Sequence, residues 1–232
     1  QRQMCIRDRW ENYVRAWTIG KMGVYFKNSI ILTAATLFVS AIIGSMASYI
    51  LAKYTFKGKS FVYILFLAGM MIPIQTVIIP LAFTFGKLGI VDNFPVLALL
   101  YSAFCLSMTV FIVTGYMKGL PDELEEAAVM DGAGHGIVFF RIILPLSMPA
   151  IASASIFNFV SAWNNLLFPL VFISKDSMKT ISIGLLSFFG AYTSDYGAVM
   201  AAIGVSIIPP IIMYILLQEK LEKGLTAGAV KG

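Results

Sequence analysis

Five runs of uncharged, mostly apolar residues dominate this chain, and each is long enough to cross a bilayer as one helix, which takes about 20 residues. The first lies between Lys27 and Lys53, the second between Lys59 and Lys87, and the third between Asp92 and Lys118. The fourth extends from Ile142 to Ser174 and the fifth follows Asp195. They predict an all-α polytopic transmembrane bundle with spans at about 28–52, 61–85, 94–117, 146–172 and 196–218. The fourth is longer than a bilayer needs, so part of it lies outside the core or bends at Pro149 or Pro169. Residues 180–194 (TISIGLLSFFGAYTS) are apolar but too short to cross, and read as an interfacial or re-entrant piece.

Only 12% of residues are charged, against about 25% in a soluble domain. The net charge of +5 is scattered singly between apolar runs, without the basic stripe and interleaved aromatics that nucleic acid requires. The partner of those charges is the lipid bilayer. Cys5 and Cys105 have no ligand spacing, and His135 is the only histidine, so neither a disulfide framework nor a multi-histidine metal site is expected. No Ser-His-Asp set, H-E-x-x-H motif or pair of intramembrane acids suggests catalysis. Gly58-Lys59-Ser60 resembles the end of a P-loop, but Lys53 stands where its first glycine belongs. The spans carry no deep charge, which argues against the competing reading, an ion-coupled secondary transporter.

Pro73, Pro80, Pro209 and Pro210 fall inside spans, where each removes a backbone donor. Ala41 with Ser45 and Gly44 with Ser48 give the first span a face that another helix can approach closely. With the loops after spans one and three and the C-terminus placed in the cytoplasm, those segments hold more lysine and arginine than the loops opposite. The same orientation leaves a basic segment before the first span outside. The resulting organisation is a disordered or non-native tail at 1–9, an extracytoplasmic segment at 10–25, a transmembrane domain at 26–217 with a cytoplasmic loop at 119–144, and a cytoplasmic tail at 219–232.

That cytoplasmic loop holds the one polar island of the chain. Pro121 suits a helical first turn, Asp122 and Glu125 have the spacing of a capping box, and Gly132 is placed to end the helix. Leu124, Ala127 and Ala128 share a face by helical spacing, and His135 is expected to be solvated. Gln75 and the run Trp163-Asn164-Asn165 place amides and an indole within apolar spans, where polar groups face a bundle interior or cavity. They are candidates for a translocation path.

Glu126-Ala127-Ala128, three residues, Gly132, nine residues, Ile142, one residue, then Leu144-Pro145 match E-A-A-x3-G-x9-I-x-L-P without a gap. On this EAA signature the chain resembles the permease subunits of bacterial ABC importers. FKNSI, AGMMIP, WNNLLFPL and the terminal GLTAGAVKG resemble their carbohydrate, MalG-like branch, so the likeness extends over nearly everything from Trp10 to Gly232. It implies a type I importer permease fold of six spans, of which this chain carries five and lacks the first. It implies a subunit that binds no cofactor, with ATP used by a partner. The implied partners are a second permease subunit in a heterodimer, a cytoplasmic ABC ATPase dimer and an extracytoplasmic solute-binding protein. The implied location is the bacterial plasma membrane, multi-pass, with the C-terminus cytoplasmic. Glu126, Ala127, Ala128 and Gly132 would form the helix that meets the ATPase, with Leu144 and Pro145 leading into the fourth span. The implied cargo is a sugar or oligosaccharide, or in a second reading another small solute. The family often has an acid where Asn165 stands, so no charged role passes to that residue.

Overall fold

The structure, a computed structural model, describes residues 10–18, 20–188 and 196–229, with side chains to residue 218 except that of residue 187. The tail at 1–9, the end of the 180–194 piece and the last three residues lie outside the described residues. Every regular element among the described residues is helical. In chain order these are α1 (Trp10–Thr18), α2 (Met22–Lys53), α3 (Lys59–Met71), α4 (Ile74–Leu88), α5 (Phe94–Met117) and α6 (Glu123–Met130). There follow α7 (His135–Val138), a π-helical turn (Phe139–Ile143), α8 (Leu144–Leu146), α9 (Met148–Trp163), α10 (Leu167–Phe172), α11 (Ile181–Ser187) and α12 (Tyr196–Ala229).

Three helices, α2, α5 and α12, are long and apolar enough to cross a membrane unbroken, and the count becomes five if each of two bent pairs is one span. The 61–85 run is not one straight helix: α3 and α4 meet at 96°. Proline forces the residue before it out of the helical region, and Ile72 before Pro73 is extended at φ −82°, ψ 112°. The 146–172 span is also interrupted. Its helix α9 turns 70° from the preceding helical segment at Ser147, ahead of Pro149 in the first turn, and stops at Trp163 before the short α10. Pro169, the other expected bend, sits within α10, just as Pro80, Pro209 and Pro210 are carried inside α4 and α12.

Helix also continues past the expected span ends. The 10–25 segment is largely helix, since α1 fills its first half and α2 begins at Met22. The helix α12 continues through 219–229, where a tail was expected. Polar composition marks where a helix leaves hydrocarbon, not where its hydrogen-bond ladder stops.

The exterior is unlike that of a soluble protein, and small polar residues join the apolar ones inside. Phe38, Ile79 and Leu216 are among the most exposed side chains at 70%, 76% and 69%. Thr36, Ser45, Ser48, Thr109, Thr114 and Ser153 are fully buried. Lipid tolerates apolar exteriors, and small hydroxyl residues let helices approach closely, the hydroxyls of Thr36, Thr109 and Ser153 donating to carbonyls one turn back in their own helices. The Asn158 amide donates to Thr109 Oγ1 at 2.8 Å, joining α9 to α5, and Gly44 on α2 faces Thr109 directly.

At one end of the bundle, the segment 173–181 is strapped to its neighbours. Asp92 accepts from the backbone N–H groups of Ser174 at 2.6 Å and Lys175 at 3.0 Å. Asp176 pairs with Lys21 at 2.6 Å and Lys179 at 3.0 Å, and accepts from the Tyr25 hydroxyl. Asn28 donates to the carbonyls of Ser177 and Lys179. The strap seats α11 against α2, with Ile181 and Ile183 buried, so the described part of the 180–194 piece packs on the bundle without crossing it.

The hydrogen bonds from Lys21, Lys179 and Tyr25 hold the Asp176 carboxyl well below its ordinary value of 3.8. A carboxyl depressed on folding stabilises the fold above its unfolded value and loses that contribution as pH falls below it. Asp176→Asn is thus expected to lower the thermal unfolding midpoint in detergent at pH 7, by a margin that shrinks progressively below about pH 4. Melting curves of both proteins across that interval check it, and a margin independent of pH would contradict it.

Candidate coupling site

At the other end of the bundle lies the polar island. Its helix α6 ends as the sequence requires: Gly132 has φ +83°, its N–H bonds the Val129 carbonyl, and the Ala133 N–H bonds the Ala128 carbonyl, each at 2.9 Å. This pair of bonds is a Schellman closure, which needs a residue in the left-handed region.

The capping box expected at the other end does not form. Asp122 is itself helical in conformation and makes no side-chain cap. Its carboxylate is taken instead by Lys53 Nζ at 2.6 Å, which holds it below the usual carboxylate range. Lys53 also donates to the Leu120 carbonyl at 2.6 Å, and its side chain is only 3% exposed. Glu125, the expected box partner, accepts from the hydroxyls of Tyr49 at 2.5 Å and Tyr54 at 3.0 Å. Tyr54 in turn bonds His135 Nδ1 at 2.8 Å, so the histidine, though exposed, is not simply solvated. Burial raises the Tyr54 phenol above its ordinary value, and the Glu125 carboxylate adds to the rise.

Of Leu124, Ala127 and Ala128, which share a helix face by spacing, the bundle covers Ala128 alone. Ala128 is buried with Tyr49, Val113, Met117, Phe139 and Ile143, whereas Glu126 and Ala127 face outward beside the exposed Val129 and Met130. Successive residues on a helix lie about 100° apart, so Glu125 and Ala128 take the bundle side and leave the opposite side free. A recess of about 370 Å³ opens between Glu125, Glu126, Val129 and Met130.

Beyond Gly132 the chain re-enters the bundle through buried Val138, Phe139 and Ile143. Leu144 N–H bonds the Phe139 carbonyl five residues back, so the ladder slips by one residue just before Pro145, whose ring nitrogen has no proton to donate. Leu144 packs partly against the same cluster, Pro145 is exposed, and α9 begins three residues later.

The four candidates for a translocation path are less closely gathered. Gln75 is exposed in the first turn of α4, beside the break at Pro73, and Asn164 is exposed where α9 stops. Trp163 is buried, stacked on Phe159, and donates its indole N–H to the Ser206 carbonyl at 3.1 Å. Asn165 caps α10 by accepting from the Phe168 N–H at 3.1 Å. Missing from the sequence reading are Tyr49, Lys53 and Tyr54, whose only signal was a pair of polar groups one helical turn apart at the end of a span.

Long apolar helices and two bent helix pairs, with one polar helix outside that apolar girth, fit a multi-pass membrane protein. Residues 40–227 match the family described as binding-protein-dependent transport system inner membrane component. The chain belongs to that family. Among its relatives, it is 34% identical over 225 residues to the diacetylchitobiose uptake system permease protein NgcG of Streptomyces coelicolor, covering 96% of this chain and 74% of that one. It is 37% identical to the trehalose/maltose transport system permease protein MalG of Thermococcus litoralis (96% and 81%), and 34% identical to the arabinooligosaccharides transport system permease protein AraQ of Halalkalibacterium halodurans (96% and 79%). The fold resembles a chain in the crystal structure of a bacterial ABC transporter involved in the import of the acidic polysaccharide alginate. Its TM-score is 0.77 at 23% identity, over 90% of this chain and 78% of that one.

Proposed function

We propose that this chain is the transmembrane permease subunit of an ATP-driven importer for a sugar or oligosaccharide in a bacterial plasma membrane. The observation that carries the reading is the outward face of α6, with Glu126 and Ala127 exposed on a helix closed by Gly132 and continued through the π-turn into α9. A cytoplasmic ABC ATPase dimer docks there, hydrolyses the ATP, and moves the spans through that connection. The C-terminus lies on the same, cytoplasmic side. This chain pairs with a second permease subunit, and an extracytoplasmic binding protein delivers the solute. Relatives named for diacetylchitobiose, trehalose/maltose and arabinooligosaccharides favour a carbohydrate cargo. Gln75 and Asn164 supply the amides of the path, and Trp163 and Asn165 hold the α9–α10 break that presents Asn164.

Reversing the charge at the docking face, Glu126→Lys, is expected to reduce ATP-driven uptake about tenfold or more while the protein still reaches the membrane, because the proposed partner surface is complementary to a carboxylate there and like charges across an interface are strongly unfavourable. Uptake of labelled oligosaccharides and ATPase stimulation by loaded binding protein, measured in proteoliposomes, check it. Wild-type rates of both would remove the coupling role. Uptake that survives ATP depletion but collapses with an uncoupler would sink the importer reading itself.

A further inference from the structure

We propose that Glu125 is a positioning residue that latches α6 to α2, so that a push on α6 reaches the first long span directly as well as along the chain into α9. The inference rests on the reading of α6 as the docking helix. Adjacent Glu126 faces outward, and among the described residues it has no hydrogen bond or ion pair. Glu125 points the other way, into the hydroxyls of Tyr49 and Tyr54, whose oxygens lie 3.0 Å apart. Bonds to an ionised acceptor are the stronger kind, and the partners lie 76 and 71 residues away in sequence, so the contact is tertiary.

The anchor on the α2 side is rigid. The Tyr49 ring is buried among Val113, Met117, Ala128, Phe139 and Ile143, and makes edge contact with Tyr54. Pulling α6 from α2 would leave that buried hydroxyl without its carboxylate, which costs more than breaking the same bond in water. Two further ties flank the first. Lys53 holds Leu120 and Asp122 ahead of α6, and Tyr54 holds His135 behind it. The end of α2 therefore grips the loop before, within and after α6. Besides these ties, α6 is linked to the bundle through its chain neighbours and the apolar seat of Ala128.

Two arms test the latch. In the first, the full chain alone in nanodiscs carries a spin label at Met130→Cys, which is 87% exposed, with Cys5 replaced by serine and buried Cys105 left in place. Label mobility is expected to rise with Glu125→Ala and with combined Tyr49→Phe and Tyr54→Phe, which keep the packed rings. It should stay unchanged with Glu126→Ala and return towards wild type with Glu125→Gln, whose amide oxygen still accepts. In the second arm, the assembled transporter carries the label at Ile50→Cys on α2, and its spectrum is compared with and without ATP and orthovanadate. The ATP-dependent change should be largely lost with Glu125→Ala and persist with Glu125→Gln. Unchanged mobility at 130 in both latch variants overturns the proposal. If the label at 50 ignores ATP–vanadate while one at 130 responds, the latch is overturned and the docking reading stands. No response at either position overturns both.

Discussion

Gly132→Val is expected to abolish ATP-driven uptake in vesicles carrying the assembled transporter, with Gly132→Ala intermediate and Gly132→Asn mildest. The order follows from backbone conformation alone. At φ +83°, Gly132 lies in the left-handed region, and a Cβ built there meets nothing within 4 Å. Crowding by neighbours is therefore not the cause. An L-residue in this region costs about 1–2 kcal/mol, a β-branched one more, and asparagine less because its side chain tolerates the left-handed form. That cost falls on a helix of eight residues, too short to be stable without its closure and its packing. Losing the two closing bonds frees the carbonyls of Ala128 and Val129 and turns the chain away from its route to Val138. Uptake rates together with hydrogen exchange over residues 123–133 check the series. A valine variant with wild-type uptake would show that the closure is dispensable.

That closure was legible in the sequence because it is local: a glycine at the end of a short polar helix has few other uses. The spans were legible for the same reason, since absence of charge over a bilayer length is a property of a contiguous run. Prolines were less informative. Pro73 stands at a 96° break, whereas Pro80, Pro209 and Pro210 sit in continuous helices. The residue before the proline is exposed in each case, Ile72, Ile79 and Ile208 at 50%, 76% and 48%, so contact with neighbouring helices does not separate the break from the continuous helices. The ends of α6 divide in the same way. Asp122 and Glu125 have capping-box spacing, yet Lys53 and Tyr49, 69 and 76 residues distant, claim them first. Local spacing states what a side chain could do with its neighbours, and a buried lysine needing a partner outweighs it. Ala127 and Ala128 were similarly indistinguishable by type. Only the position of Tyr49 and Phe139 decides which alanine is covered and which is left free.

Gly44→Ala is expected to weaken the packing of α2 on α5 by about 1–3 kcal/mol, the usual cost of overfilling a tight interior, and Thr109→Ser is expected to recover part of it. A Cβ at Gly44 would lie 2.5 Å from Thr109 Cγ2 and 2.9 Å from Thr109 Cβ, so the helices must separate to admit it. Helices in lipid have little hydrophobic drive to associate and depend on close approach, so separation removes much of what holds this pair together. Serine at 109 deletes the nearer methyl while keeping the hydroxyl, which accepts from Asn158 at 2.8 Å and donates to the Cys105 carbonyl at 3.0 Å. Thr109→Val removes that hydroxyl, leaves the Asn158 amide buried without its partner, and should worsen the Gly44→Ala defect. The contrast between serine and valine separates two causes that a single variant would confuse, shape at residue 44 and hydrogen bonding at residue 109. Unfolding midpoints of the two single variants and both doubles in detergent decide it. Additive losses in the serine double would show that the two residues do not share one interface.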